Sequence, residues 1–317
     1  MLRRPLVLLL LALPLFAQEP REDAYLRGYN LFKQGKLSEA EAAFQSAYNQ
    51  TPPDLRGLLG LTEVYAAQNK FDRALKILEE HLEKSGPSKN VKTAWGNIAV
   101  RAGRYDDAVA VFQDLLRDDP ANFDLHMRLA ESFRSKSDLP NAIQVWEKAT
   151  LLNRDSLAPV LARAIALDQL GRKSEAVTAY TEVLRRDPSH KIANNNVAYY
   201  LAGNNTDLDR ALQYATAAAA GSSLDPDVAD TISPFDPEVA DTLAFVRLKR
   251  NEPAEAAAIY KRLTAQQPKR AVFHIRYAQA LRMSGDAPGA KRECDLARPL
   301  LTPAEQTEFQ AHCPDAQ

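Results

Sequence analysis

The chain has 317 residues, 45% of them apolar and 26% charged, with 12 glycines available for turns, an ordinary composition for a soluble helical protein. Lysine and arginine total 40 against 41 aspartate and glutamate. That balance offers no electrostatic reason for nucleic acid or an anionic membrane surface as the main partner.

The chain opens on Met1 to Pro5 with Arg3 and Arg4, continues in an apolar run from Leu6 to Phe16 interrupted by Pro14, and reaches Ala17, Gln18 and Glu19. A basic start, a short apolar middle and a small residue before a polar stretch describe a secretory signal peptide over residues 1–17, cleaved after Ala17. The run is shorter than the roughly 20 apolar residues of a bilayer span, so no integral membrane segment is expected after its removal. An uncleaved N-terminal anchor is the alternative, since Leu15 is larger than the residue expected two places before Ala17. Cleavage removes two arginines and no acids, leaving a net charge of −3.

From residue 21 a pattern with a period of 34 begins. Ala40, Ala74, Ala108, Ala142 and Ala176 mark it. Five residues before each stands Gly35, Asn69, Gly103, Ser137 or Gly171, and four after it Phe44, Leu78, Phe112, Trp146 or Tyr180. Small residues (Gly28, Thr62, Gly96, Ala130, Ala164) lie twelve before, and mostly helix breakers (Pro52, Gly86, Pro120, Arg154, Pro188) twelve after. Two antiparallel helices lie close only where one offers a small side chain, so Gly96 and Ala108 mark a crossing that Trp95 and Phe112 fill beside it. One helix pair cannot bury its own apolar faces and must stack on the next.

On those residues the chain resembles the tetratricopeptide repeat (TPR) family, whose helix-turn-helix unit has this period and slot order. The resemblance implies an all-α superhelical solenoid of about eight repeats, six of them over residues 21–220. The first has helices near Glu22 to Gln34 and Ser38 to Gln50, with Ser38 as a cap for the second and Gly35 in the turn. Pro140 and Pro159 fall in first helical turns, where a missing N–H is harmless. In the sixth copy the alanine arrives one residue late, at Ala211, so the turn Gly203 to Asp207 holds one extra residue.

Residues 221–236 read as an irregular insertion with Pro226 and Pro234. Within it Asp225-Pro226-Asp227-Val228-Ala229-Asp230-Thr231 begins a local duplication, repeated as Asp236-Pro237-Glu238-Val239-Ala240-Asp241-Thr242. The second copy opens a helix, with Asp-Pro as cap and first turn. Repeats seven and eight fill residues 237–301 around Ala256 and Ala290, and residues 302–317 form a capping helix and tail beginning Thr302-Pro303-Ala304-Glu305. Cys294 and Cys313 are the only cysteines. In an exported chain an even pair suggests a disulfide. The alternative is that Cys294 replaces the bulky side chain of its slot and Cys313 is free.

No catalytic signature stands out. The five histidines are dispersed, and there is no HExxH, phosphate-cradling loop or nucleophile elbow, so neither enzymatic activity nor a cofactor or metal is expected. Binding is the better expectation, because stacked pairs leave the first helix of each pair lining a concave surface. At 3.6 residues per turn that surface carries Tyr25, Tyr29, Phe32 and Lys33 in the first repeat, then Asn97, Arg101, Met127, Arg128, Glu131 and Arg134 in the third and fourth. The fifth contributes Leu161, Ile165 and Asp168, the sixth Asn195, Asn196 and Tyr199, and the seventh Asp241, Phe245 and Lys249. Aromatic, Met and Arg side chains of this kind anchor peptide and protein interfaces.

The family resemblance also includes receptors that grip a C-terminal carboxylate with Lys, Asn and Arg on three successive first helices. Asn196 matches the middle member, but Leu161, Ile165, Glu238 and Thr242 depart from the flanking ones. The expected role is therefore an exported scaffold for a peptide or protein partner. Alternatives are an accessory subunit of a cell-envelope secretion or polysaccharide-export assembly, and a carbohydrate-binding protein or enzyme.

Overall fold

The computed structural model describes residues 23–50, 52–220 and 236–314. The expected signal peptide and nearly all of the insertion, including the first copy of the duplicated Asp-Pro segment, lie outside them. The described residues fall into two compact units that divide after Pro120, and every regular element among them is helical.

In the first unit α1 (Ala24–Lys33) pairs with α2 (Leu37–Tyr48), α3 (Leu55–Ala67) with α4 (Phe71–Ser85), and α5 (Lys89–Arg101) with α6 (Tyr105–Asp118). Each helix packs on the next, and the first helices also touch one another, α1 on α3 and α3 on α5. Small and bulky slots meet where the spacing requires. A β-carbon on Gly96 would stand 2.7 Å from Phe112 Cζ, and one on Gly28 would stand 2.6 Å from Phe44 Cδ1, so only a bare backbone admits these rings.

The second unit holds the pairs α7 (Phe123–Ser135) and α8 (Leu139–Leu152), α9 (Ala158–Gln169) and α10 (Lys173–Arg186), and α11 (Lys191–Gly203) and α12 (Leu208–Ala219). After the insertion come α13 (Pro237–Lys249) with α14 (Pro253–Gln266) and α15 (Ala271–Met283) with α16 (Ala287–Ala297), then two 3-10 turns and α17 (Gln306–His312). Thr302 and Glu305 form a reciprocal capping box before α17, and Phe309 of α17 buries against Ile275 and Ala278 of α15. Cys294 of α16 and Cys313, just past α17, are joined by a disulfide with Cα atoms 5.7 Å apart.

The slot five before each alanine is the left-handed turn residue. Gly35, Asn69, Gly103, Ser137 and Gly171 have φ between 58° and 76°, and Asn251 and Gly285 continue the series at 62° and 86°. In the sixth repeat the extra residue splits this duty between Asn205 (φ 53°) and Asp207 (φ 44°). The following residue donates back five positions, as Lys36 N does to Leu31 O at 3.0 Å and Arg104 N to Ala99 O at 2.8 Å, which satisfies the last carbonyls of each first helix.

That tight turn corrects the expected cap at Ser38. α2 begins at Leu37 with Lys36 as its cap residue and no side-chain cap bond, because the turn has already delivered the backbone into α2. Side-chain caps form where Asp or Asn holds the cap position, with Asp23, Asp54 and Asn122 before first helices and Asp138, Asp207 and Asp286 before second helices accepting from backbone N–H groups. Asp236 does the same for α13, accepting from Glu238 and Val239, while Pro140 and Pro159 occupy first turns.

Candidate functional site

In the second unit the first helices α9, α11, α13 and α15, with α10, enclose an open cleft of about 640 Å³. Of the residues expected on the concave surface, Asp168, Asn195, Asn196, Tyr199 and Asp241 line it. Its floor is Arg276 of α15, 5% exposed. Arg276 donates from Nη1 to Asp241 Oδ2 at 2.7 Å, from Nε to Glu308 Oε1 of α17 at 2.7 Å, and from Nη2 to the Tyr199 hydroxyl at 3.3 Å. Asp241 Oδ1 accepts from the Tyr260 hydroxyl of α14 at 3.0 Å.

Two aromatic rings lie beside the same guanidinium. Its carbon lies 4.6 Å from the Phe245 ring centre and 5.9 Å from that of Tyr199, and those two rings stack 5.2 Å apart. Lys249 Nζ stands 5.3 Å from the Phe245 ring centre. Tyr199 keeps 42% of its surface in solvent, so an aromatic face held from behind by a buried cation is presented to the cleft.

Burial opposes the charge on Arg276, yet Asp241, Tyr260 and Glu308 outweigh it and hold the guanidinium protonated. Burial also pushes the Asp241 carboxyl up while Arg276 and Tyr260 pull it back. It holds the Tyr260 hydroxyl well above its ordinary value, with Asp241 adding to the effect. Nearer the mouth Lys173 pairs with Asp168 at 2.6 Å, and Arg270 with Glu238. The cleft thus presents paired charges, phenol and amide groups rather than a net field. Among the described residues Asn195 Oδ1 is buried without a hydrogen-bond partner.

The other expected residues lie elsewhere. In the first unit Tyr25 and Tyr29 stack 6.4 Å apart, Arg56 covers Tyr25 at 4.7 Å and Lys33 stands 5.8 Å from Tyr29, with Phe32 half-buried beside them. Asn97 lines a shallow recess of about 290 Å³ with Leu59 and Glu63, and Arg101 bonds Glu63 at 2.8 Å. In the second unit Met127 is half-buried and Arg128 exposed, Arg134 Nε bonds Glu131 on its own helix at 2.8 Å, and Leu161 and Ile165 are half-buried on α9 outside the cleft lining. Asp241, expected as a groove-facing group, is 8% exposed and committed to the Arg276 network. Asn194 bonds the carbonyls of Pro188 and His190, before its own helix, rather than an adjoining one.

Sequence reasoning missed Arg276, Glu308 and Tyr260. A signal was present: Arg276 follows Asp241 by 35 residues, one repeat and one position, on successive first helices, and it sits between apolar neighbours.

Family models of the tetratricopeptide repeat match residues 93–155, 161–226 and 242–301, and a second such model matches residues 31–94. The chain belongs to the tetratricopeptide repeat family. This TPR chain is 25% identical over 272 residues to a TPR repeat-containing protein of Treponema pallidum, covering 83% of the chain and 30% of that protein. It is 26% identical over 210 residues to human superkiller complex protein 3, covering 61% of the chain and 13% of that protein. A shorter match, 29% over 115 residues, is to lipopolysaccharide assembly protein B of Escherichia coli, over 36% of the chain and 26% of that protein.

The chain therefore spans about a tenth to three-tenths of the first curated relatives it matches. In fold it resembles the C-terminal part of a TPR repeat-containing protein from Cytophaga hutchinsonii, with TM-score 0.58 and 18% identity, covering 78% of this chain and 97% of that one. A TPR protein from Parabacteroides merdae gives TM-score 0.50 at 17% identity, covering 82% and 100%.

Proposed function

We propose that this TPR chain is an exported, non-enzymatic scaffold that holds a peptide or protein partner on its first-helix surfaces, with the cleft of the second unit as the principal seat. The observation that carries the reading is the exposed Tyr199 ring backed by a network of buried side chains. A rigid aromatic anchor with room around it loses little entropy on binding and is the usual centre of an interface. Asn195 and Asn196 line the cleft beside it, and the paired charges at the mouth suit a partner without large net charge.

Export is supported by the basic and apolar N-terminal residues and by the Cys294–Cys313 bond, since disulfides persist in oxidising compartments. Among the described residues no helix is long and apolar enough to cross a membrane. A place as accessory subunit of a cell-envelope assembly is a second reading, favoured by the partial match to lipopolysaccharide assembly protein B.

Affinity capture with the mature chain, followed by mass spectrometry, identifies the partner. Tyr199→Ala is expected to lose it while Tyr25→Ala/Tyr29→Ala/Phe32→Ala weakens it less. Capture unchanged by Tyr199→Ala removes the cleft from the reading, and co-purification of a membrane complex favours the second one.

A further inference from the structure

The arginine at the floor of the cleft is held from behind by a residue outside the repeat helices. Glu308, which accepts from Arg276 Nε at 2.7 Å, belongs to α17, a helix of 7 residues that is too short to persist by itself in water. Its hold on the second unit comes from three contacts. Phe309 and Cys313 bury with Ile275 and Ala297, Arg282 Nη1 donates to the His312 carbonyl at 3.0 Å, and Cys313 is bonded to Cys294 of α16.

We propose that this disulfide-clasped cap supports the binding site: the Cys294–Cys313 bond fixes α17, Glu308 on α17 fixes Arg276, and Arg276 fixes the Tyr199 ring in the cleft and the Phe245 ring stacked on it. Glu308 is then a positioning residue. Without its carboxylate the buried Nε–H of Arg276 loses its acceptor, a costly state, and the guanidinium must turn toward water, leaving the stacked pair of rings without the cation beside it. Both cysteines are 1% exposed, so a reducing thiol reaches their bond only while the cap is open. The bond forms by exchange as the cap docks: the two cysteine thiols lose two protons and two electrons to an external disulfide, which is released as two thiols. The cleft is complete only in a chain that has met such an oxidant.

This rests on the reading of the cleft as the binding site, so the test reads the cleft with no partner present. Phenylglyoxal, which modifies accessible arginines, is applied to the full chain, and modification of Arg276 is followed by mass spectrometry relative to Arg163 of α9. Arg276 should be nearly inert in the oxidised protein and react about tenfold faster or more in Glu308→Ala and in Cys294→Ser/Cys313→Ser through local opening of the cap. Glu308→Gln, which keeps an acceptor oxygen, should restore most of the protection.

Equal Arg276 reactivity in wild type and both variants overturns the proposal. So does a parallel rise at Arg163 with loss of helical circular dichroism, because the clasp then holds the whole helix array rather than one side chain. Partner capture by Tyr199→Ala is a separate measurement, and it can fail while the Arg276 result stands.

Discussion

Arg276 Nη1 and Asp241 Oδ2 lie 2.7 Å apart with almost no access to solvent, their side chains 6% and 11% exposed. Breaking a buried ion pair from one side strands the other charge, so Arg276→Ala is expected to cost about 3–5 kcal/mol in denaturant unfolding. The double variant Arg276→Met/Asp241→Leu should recover part of that loss, because Glu308, 29% exposed, can turn to water while the buried Tyr260 hydroxyl loses its carboxylate acceptor. A double variant as unstable as the single one would mean that the pair's geometry, and not its charge, supports the second unit.

Gly96 faces the Phe112 ring so closely that a single methyl group has no room. Gly96→Ala should destabilise the first unit by about 1–3 kcal/mol, and adding Phe112→Leu should return part of it. Urea titrations of the three proteins check this.

The turn slot predicts opposite signs at two positions. A β-carbon added at Gly103 (φ 76°) would meet nothing within 4 Å, so Gly103→Ala should cost about 1 kcal/mol through backbone strain alone. Ser137 already bears that strain at φ 65°, so Ser137→Gly should raise stability by up to about 1 kcal/mol, and melting temperatures of both variants report the signs.

Two histidines give stability a pH dependence of opposite sign. His274 donates from Nδ1 to Glu293 at 2.6 Å and from Nε2 to the Pro268 carbonyl at 3.0 Å, and its pKa is raised, chiefly by Glu293. A raised histidine contributes stability that is fully present below its unfolded value of about 6.5 and is lost as pH climbs through the folded value. His312 is depressed by burial, so its contribution is present above about 6.5 and lost as pH falls. Unfolding free energy measured across this range should fall on both sides, and His274→Gln should flatten the alkaline limb only.

The Cys294–Cys313 bond closes a loop of 19 residues by sequence separation, for which chain entropy gives about 3 kcal/mol. Cys294→Ala/Cys313→Ala should lower the unfolding free energy by up to that amount, and calorimetry of the oxidised and variant proteins measures it.

Much of the fold is legible in the residues. The Gly35-type slot is read correctly because a left-handed turn admits few residue types, and the Gly96–Phe112 crossing because small and bulky side chains must alternate where helices touch. The Ser38 cap fails for a reason equally local: α2 starts at Leu37, so the cap position falls on Lys36, whose side chain has no acceptor, and Ser38 already lies in the first turn. The site is legible only in part. Helical periodicity brings Asn195, Tyr199 and Asp241 to the lining of the cleft, yet it gives no sign that Asp241 is paired with Arg276.

Sequence alone determined the repeat period, the helix pairs, the turn residues and the family, since each follows from short-range sterics repeated every 34 residues. Only the tertiary structure decided that Arg276 lies between Asp241 and Glu308, that Tyr199 and Phe245 stack beside it, and that the C-terminal cap holds the arginine of the cleft floor. Those contacts join residues up to 77 positions apart, and one period cannot specify a pairing that occurs once.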